Sequence, residues 1–567
     1  MKVVIIGGVA GGATAAARLR RLNEQAEIVI LERSGFVSYA NCGLPYYVGG
    51  AIRDKDALTL QTPESFWSRF HIDVRVRNEA VEIDPAAQTV RVRRLDDGSE
   101  YTEHYDKLIL SPGGKAMRPD VPGADSDQIM TLRTVEDTYR IRDFIERNAP
   151  KTAIVIGGGF IGLEAAENLM QAGVETILLQ RSGQVMPPLD YDMACQVHAY
   201  LRGRGLDLRL NTPVASYETE GQKIRVVLQT GDALQADLVL MAVGVSPDTD
   251  LARRAGLQMG KKGAIVVNGR METSAPDIYA VGDAVEVQDL VSGARTVVPL
   301  AGPANKQGRI AADNICGLDS AYQGTQGSSI IQLFDMAAAS TGLNEKAAKA
   351  AGIPYDKVVT YSASHATYYP GATNMTVKTL FAPDTGKILG AQIVGFTGVD
   401  KRIDVLAAAI RAGMTAADLE QLELAYAPPY SSAKDPVNMA GFVIENLRSG
   451  RVRQYHWHDV ETLPQDGSVT LLDVRTEGEY GEGHIPQTVN IPLDALRDRL
   501  GELDAAKPVY VNCYSGLRSY IACRILTQNG FTCYNLSGGY RFYEYVATDR
   551  CYDASPTHPC GLKLKIT

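Results

Sequence analysis

Lys2-Val3-Val4-Ile5-Ile6-Gly7-Gly8-Val9-Ala10-Gly11-Gly12 opens the chain, and its reading decides the fold class. The run Lys2 to Ile6 reads as a buried strand, because a short apolar stretch bounded by glycines has the length and composition of one. The glycines make a tight turn, and a small-residue helix is expected from Ala13 to Leu22. A second apolar strand, Ile28 to Leu31, closes on Glu32, twenty residues after Gly12. Strand, glycine turn, helix, strand and acid form the dinucleotide-binding arrangement. Backbone N–H groups at the helix N-terminus meet a pyrophosphate, and the acid takes a ribose hydroxyl. Val9 stands where that fingerprint has its second glycine.

The pattern then repeats. Thr152 to Ile156 is an apolar strand, Gly157-Gly158-Gly159-Phe160-Ile161-Gly162 is an unbroken G-x-G-x-x-G, and a helix (Leu163 to Gln171) and a strand (Glu175 to Gln180) follow. Two such units imply two nucleotides. The second strand ends in Gln180-Arg181, neither a clean acid for a ribose hydroxyl nor a clean basic site for a 2′-phosphate, so NADH and NADPH both stay open.

The chain has 567 residues, which at roughly 100–200 per domain implies about three to five domains. Its 57 Lys and Arg against 66 Asp and Glu give a net charge of −9, spread along the length, which argues against a nucleic-acid binder. No apolar stretch approaches the ~20 residues that span a bilayer, the N-terminus reads as a strand and not a signal peptide, and a cytoplasmic protein is expected. The eight cysteines are unevenly spaced and form neither a disulfide framework nor a paired zinc motif, so no metal is expected.

A third segment, Thr273-Ser274-Ala275-Pro276-Asp277-Ile278-Tyr279-Ala280-Val281-Gly282-Asp283-Ala284, adds a turn, a short strand and a Gly-Asp pair. Together with the two glycine turns it resembles the pyridine nucleotide-disulfide oxidoreductases over residues 1 to 447. The resemblance implies an α/β fold with an FAD domain (1–112 and 244–325), an NAD(P)H domain (113–243) and an α+β dimerisation domain (326–447). Gly7, Gly8, Ala10, Gly11, Gly12, Glu32, Arg33, Gly282 and Asp283 would hold FAD, and Gly157, Gly159, Phe160 and Gly162 NAD(P)H. Within 326–447, Met375 to Phe381 and Ile388 to Val394 read as a hairpin around Pro383-Asp384-Thr385-Gly386, with helices over Asp400 to Ala412 and Thr415 to Gln421.

Cys42 lies in Ser38-Tyr39-Ala40-Asn41-Cys42-Gly43-Leu44-Pro45, just before an expected helix whose N-terminus should lower the thiol pKa. Its position matches the family's redox cysteine. No second cysteine follows in 43–48, and Glu423 to Ser431 lacks the histidine of an acid/base pair, so a CxxxxC disulfide is excluded. Of the single-cysteine branches, the NADH oxidases and peroxidases carry a histidine where Ala10 stands. The chain instead resembles the coenzyme A-disulfide reductases. That resemblance implies Tyr426 and Tyr368 as proton donors, and coenzyme A contacts at Thr14, Arg18, Arg21, Ser38, Asn41 and Lys434. It also implies a homodimer with small coenzyme A or sulfur substrates.

A polar stretch, 448–466, reads as a linker into a further α/β unit (467–550) followed by a tail (551–567). There Val509 to Asn512 leads into Cys513-Tyr514-Ser515-Gly516-Leu517-Arg518, a cysteine and an arginine separated by four residues after a strand. Such a loop converges N–H groups on the sulfur, and the arginine adds charge. With Asp473-Val474-Arg475 and Gly483-His484-Ile485-Pro486 it resembles a rhodanese domain, implying Cys513 and Arg518 as its working pair. Hence the expectation is a reductase of coenzyme A persulfide, polysulfide or coenzyme A disulfide with a sulfane-sulfur domain. An NADH oxidase or peroxidase, or a sulfur carrier on a redox-sensing scaffold, is the alternative. Cys195, Cys316, Cys523 and Cys533 are expected to be inert; Cys551 and Cys560 are unassigned.

Overall fold

The computed structural model describes residues 1–554, which fall into two compact units, 1–183 with 206–327, and 184–205 with 328 onward. The first unit holds two parallel five-stranded sheets. One runs Ile278–Ala280, Lys107–Leu110, Lys2–Ile6, Glu27–Glu32, Asp73–Val76 in spatial order. The other runs Asp207–Arg209, Glu175–Leu179, Thr152–Ile156, Leu238–Met241, Ile129–Thr131. In each sheet the strand feeding the glycine turn has its sequence successor on one side and a much later strand on the other. That reversal opens a crevice at the carboxyl ends of the strands, where this class of sheet binds ligands. Val3, Val4, Ile5, Val29, Ile30, Leu108 and Ile109 are fully buried, as a sheet covered on both faces requires.

The helices after the two turns start earlier than their sequence pattern suggests, at Ala10 and Phe160. The last glycine of each turn already lies inside its helix. A Cβ on Gly12 would sit 1.9 Å from the Gly7 carbonyl oxygen, and one on Gly162 1.9 Å from that of Gly157. Helix and strand can therefore approach only where both positions lack a side chain.

The second unit contains an antiparallel sheet ordered Ser329–Leu333, Met336–Gly342, Ile388–Gly395, Asn374–Phe381, Asp356–Ala363. The expected hairpin is its centre, with Thr376 opposite Val394, and helices Val399–Ala412 and Ala416–Gln421 follow. Helix Tyr191–Gly203, expected within the NAD(P)H domain, belongs to this unit and packs on strand Ile388–Gly395. Its polar residues explain the departure. Asp192 binds Lys378, Gln196 accepts from Thr376, and His198 meets Asp549, all from sequence far downstream.

A five-stranded parallel sheet completes the unit, ordered Gln454–Tyr455, Cys533–Leu536, Val509–Asn512, Thr470–Asp473, Val489–Asn490. Its first strand lies in the stretch expected as a linker. Val452, Tyr455, Val460 and Leu463 are buried there, because they cover an edge of the sheet that 467–550 alone would leave open. The final helix, Gly539–Ala554, runs past the expected boundary and includes Cys551; Cys560 lies outside the described residues. Among the described residues no helix is long and apolar enough to cross a membrane.

Candidate functional site

In the first glycine turn Gly7 has φ +94°, a left-handed geometry that glycine adopts without strain. Glu32, nearly buried at the end of its strand, accepts the Gly8 N–H on one carboxylate oxygen (2.9 Å) and the Ser34 N–H on the other (2.8 Å). Burial pushes its carboxyl up, against these two donors. The second turn repeats the device with a neutral group: Gly158 N–H donates to Gln180 Oε1 at 2.9 Å, and Gln180 Nε2 donates to Ser182. Arg33 pairs with Asp248 at 2.7 Å, and Phe160 is half-buried at the start of its helix. Asp283 lies in the short turn Gly282–Ala284, where burial raises its carboxyl although Arg133 stands 3.3 Å away.

These residues fit the two nucleotides of the sequence reading. Both turns leave no room for a Cβ on the helix side, while a Cβ on Gly159 would meet nothing within 4 Å, so open space faces that turn. Glu32, Asp283 and the amides opening helix Ala10–Leu22 would hold FAD. Gly157, Gly159, Gly162 and Phe160 would meet NAD(P)H.

Cys42 is exposed in the single turn Asn41–Gly43, ahead of the five-residue helix Leu44–Val48. The expected lowering of its pKa is overturned. Partial desolvation pushes the thiol up, the Glu164 and Asp283 carboxylates add to this, and Arg133 opposes them. So short a helix has too small a dipole to compete. Glu164, which sequence reading missed, receives the Tyr46 hydroxyl at 3.2 Å. Burial and the neighbouring Glu167 push its carboxyl up to about 7. Its one sequence signal is its place one helical turn after Phe160.

The basic cluster on the first helix divides. Arg18 Nε donates to Asp313 at 2.7 Å, and Arg20 is buried, bonding the carbonyls of Phe70, His71 and Glu24. Only Arg21 is exposed. Arg18, expected on coenzyme A, pairs with Asp313 through its Nε. Thr14 donates to Asn305 at 3.0 Å; Ser38 takes a positive φ of 47°, and Asn41 opens the Cys42 turn.

In the second unit Lys434 is exposed, and the hydroxyls of Tyr368 and Tyr426 lie 2.9 Å apart, both rings open to solvent. The hydrogen bond raises the Tyr368 phenol.

Cys513 is buried at the end of strand Val509–Asn512. Its sulfur accepts the Gly516 N–H at 3.1 Å and the Ser519 hydroxyl at 3.2 Å; Ser519 was not foreseen. A Cβ on Gly539 would lie 2.7 Å from Cys513 O, Ser515 N and Tyr514 O, so this glycine lets the last helix close on the loop. Arg518 adds less charge to the loop than expected, because both its terminal nitrogens are engaged by Glu479 at 2.8 and 2.6 Å. Of the thiols expected to be inert, burial pushes Cys195 and Cys316 up. Contact with Cys523 instead brings Cys533 down to about 7.

Residues 1–308 match the pyridine nucleotide-disulphide oxidoreductase family, 329–436 its dimerisation domain, and 456–544 a rhodanese-like domain. A coenzyme A disulfide reductase of Staphylococcus haemolyticus is 36% identical over 79% of this chain and all of its own length. An NADH oxidase of Methanocaldococcus jannaschii is 35% identical over 78% of this chain and 98% of its own. Among solved structures, the reduced CoADR-RHD of Bacillus anthracis is 47% identical over 97% of this chain and 98% of its own, with a TM-score of 0.95. A NAD-dependent persulfide reductase from A. fulgidus is 38% identical over 96% of this chain and 100% of its own, with a TM-score of 0.89. The two nucleotide folds, the lone thiol after the first and the cysteine loop at the far end thus agree with the matches: the chain belongs to the pyridine nucleotide-disulphide oxidoreductase family, with its dimerisation domain and a rhodanese-like domain behind it.

Proposed function

We propose that the protein uses NAD(P)H to reduce coenzyme A persulfide, polysulfide or coenzyme A disulfide through Cys42, while Cys513 collects sulfane sulfur. The observation that carries this reading is the pairing of two unlike thiols in one chain. Cys42 is exposed and faces carboxylates; the sulfur of Cys513 is buried and held by two donors. Relatives named for coenzyme A disulfide and persulfide reduction support the substrate class.

FAD, when bound, supplies the route by which electrons from NAD(P)H reach sulfur at Cys42. The chain's own residues do the rest. Glu32 and Gln180 brace the glycine turns so that their amides converge on a pyrophosphate. Thr14, Arg21, Ser38, Asn41 and Lys434 are the proposed coenzyme A contacts, with Arg18 held to Asp313. The Cys42 thiolate attacks the substrate disulfide, and the departing thiolate takes a proton from the Tyr368–Tyr426 pair, whose shared hydrogen bond lets one phenol re-protonate the other. Two exposed tyrosines in a dimerisation domain support a homodimer in which they serve the partner's site. Cys42, Cys195, Cys316, Cys513, Cys523 and Cys533 are free thiols, which supports a reducing, cytoplasmic setting.

An oxidase relative favours a second reading, oxygen reduction, but Ala10 offers no acid–base group in the first turn. Cys42→Ser tests the proposal. NAD(P)H-driven reduction of coenzyme A disulfide and persulfide should fall to background while flavin absorbance is retained. A normal rate with either substrate refutes the mechanism, and oxygen-dependent NADH consumption as the main activity favours the oxidase.

A further inference from the structure

The Cys513 loop carries one arginine, and its charge is already answered. Arg518 makes a two-pronged pair with Glu479, each side chain about one-third exposed. Glu479 is itself fixed by a capping box at the start of helix Glu477–Glu482. Its carboxylate accepts the Thr476 N–H and hydroxyl at 3.0 Å each, and its own N–H donates to Thr476 Oγ1 at 3.3 Å. Arg518 and these donors hold the carboxyl down at about 2, so the pair stays neutral overall throughout the physiological range. Of two further guanidiniums in this domain, Arg475 is buried and doubly bonded to Asp473, and Arg541 is set among the rings of Tyr361, Tyr514 and Tyr545. Beside the loop three large side chains, Tyr514, Leu517 and Ile521, are exposed and give its rim an apolar component.

Resting on the sulfane-sulfur role of Cys513 proposed above, we propose that Glu479 is a specificity-determining residue: by neutralising Arg518 at a partly apolar mouth it makes the site select organic persulfides over inorganic dianionic donors. The chemistry separates the two. With a persulfide, the Cys513 thiolate attacks the outer sulfur of RS–SH, a new S–S bond forms as the old one breaks, and RS⁻ leaves with the electron pair, giving Cys513–S–SH. At the reacting sulfurs one negative charge is carried throughout. With thiosulfate the same attack brings a thiolate against a dianion, and sulfite leaves carrying two charges while Cys513–S–S⁻ remains. Such a step needs an unpaired cation beside the sulfur, and Glu479 takes Arg518 out of that role. The apolar side chains at the rim would meet the carbon portion of RS–SH and offer nothing to thiosulfate.

The test is single-turnover loading of Cys513 in the full-length protein without NAD(P)H, with glutathione persulfide or thiosulfate as donor, read by peptide mass spectrometry. Glu479→Gln keeps the capping side chain but frees the cation, and should raise the thiosulfate-to-persulfide rate ratio about tenfold, the effect of one unpaired charge at close range in a partly aqueous site. Glu479→Asp retains the charge and should keep the ratio near that of the parent. A ratio unchanged in Glu479→Gln, or raised equally in Glu479→Asp, overturns the inference while leaving the sulfur-transfer role intact. Parent protein that loads faster from thiosulfate than from the persulfide also overturns it. Loading from neither donor refutes both this inference and the sulfane-sulfur role. Arg541, whose guanidinium lies 5.2–5.8 Å from the rings of Tyr361, Tyr514 and Tyr545, is common to all three proteins and cancels in the comparison.

Discussion

Lys378→Met probes the most heavily charged part of the second unit. Lys378 is fully buried, with its Nζ 2.6 Å from Glu345, 2.7 Å from Asp192 and 2.9 Å from Asp190. Lys357 adds a second cation on Glu345 at 2.7 Å, while Gln392 and the Trp457 indole N–H donate to Asp190 and Asp192. Methionine fills much the same space but leaves three carboxylates facing one lysine. Removing one partner of a buried ion cluster costs about 3–5 kcal/mol, because the remaining charges are neither hydrated nor balanced. The pH dependence has a defined sign. Burial pushes Glu345 up in the parent, but Lys378 and Lys357 outweigh it and hold the carboxyl well below its ordinary value. That contribution is present above the unfolded value of about 4.3 and is lost as pH falls through the folded one. Without Lys378 the cluster loses its central cation and gains from taking up protons, so the penalty is full at pH 7.5 and shrinks as pH falls towards 5. Trp457 is one of two tryptophans, so urea unfolding followed by fluorescence in a Trp67→Phe background reports on this cluster. A loss under about 1 kcal/mol at pH 7.5, or a deficit equally large at pH 5, refutes the electrostatic account.

Gly12→Ala places a methyl group 1.9 Å from the Gly7 carbonyl, so the first turn must open and flavin content on purification should fall at least tenfold; full occupancy would show that the turn is not the FAD cradle. Cys513→Ser should abolish sulfur loading of the rhodanese-like loop yet leave NAD(P)H-driven reduction of preformed coenzyme A disulfide within about twofold of the parent, since that substrate needs Cys42 alone. An equal loss on both would place Cys513 on the main redox path.

What lay in contiguous stretches was determined by the sequence itself. The glycine turns, the acid or amide ending each second strand, and the cysteine loop after Val509–Asn512 depend on steric constraints and hydrogen bonds within a few dozen residues, and they are written locally. Charge is different, because its meaning depends on which group arrives opposite it. Arg18 reads as an anion contact until Asp313 closes on it from a distant helix. Arg518 reads as a charged clamp until Glu479 neutralises it. Cys42 reads as an activated thiol at a helix start, but burial and the carboxylates of Glu164 and Asp283 set its pKa from separate segments. The stretch 448–466 is polar enough to pass for a linker, and becomes a sheet edge only because Asn535 and Leu536 present a strand for it to pair with. Short-range sterics are fixed by neighbouring residues, whereas desolvation and ion pairing arise only when packing brings remote segments together, so the tertiary structure alone decided them.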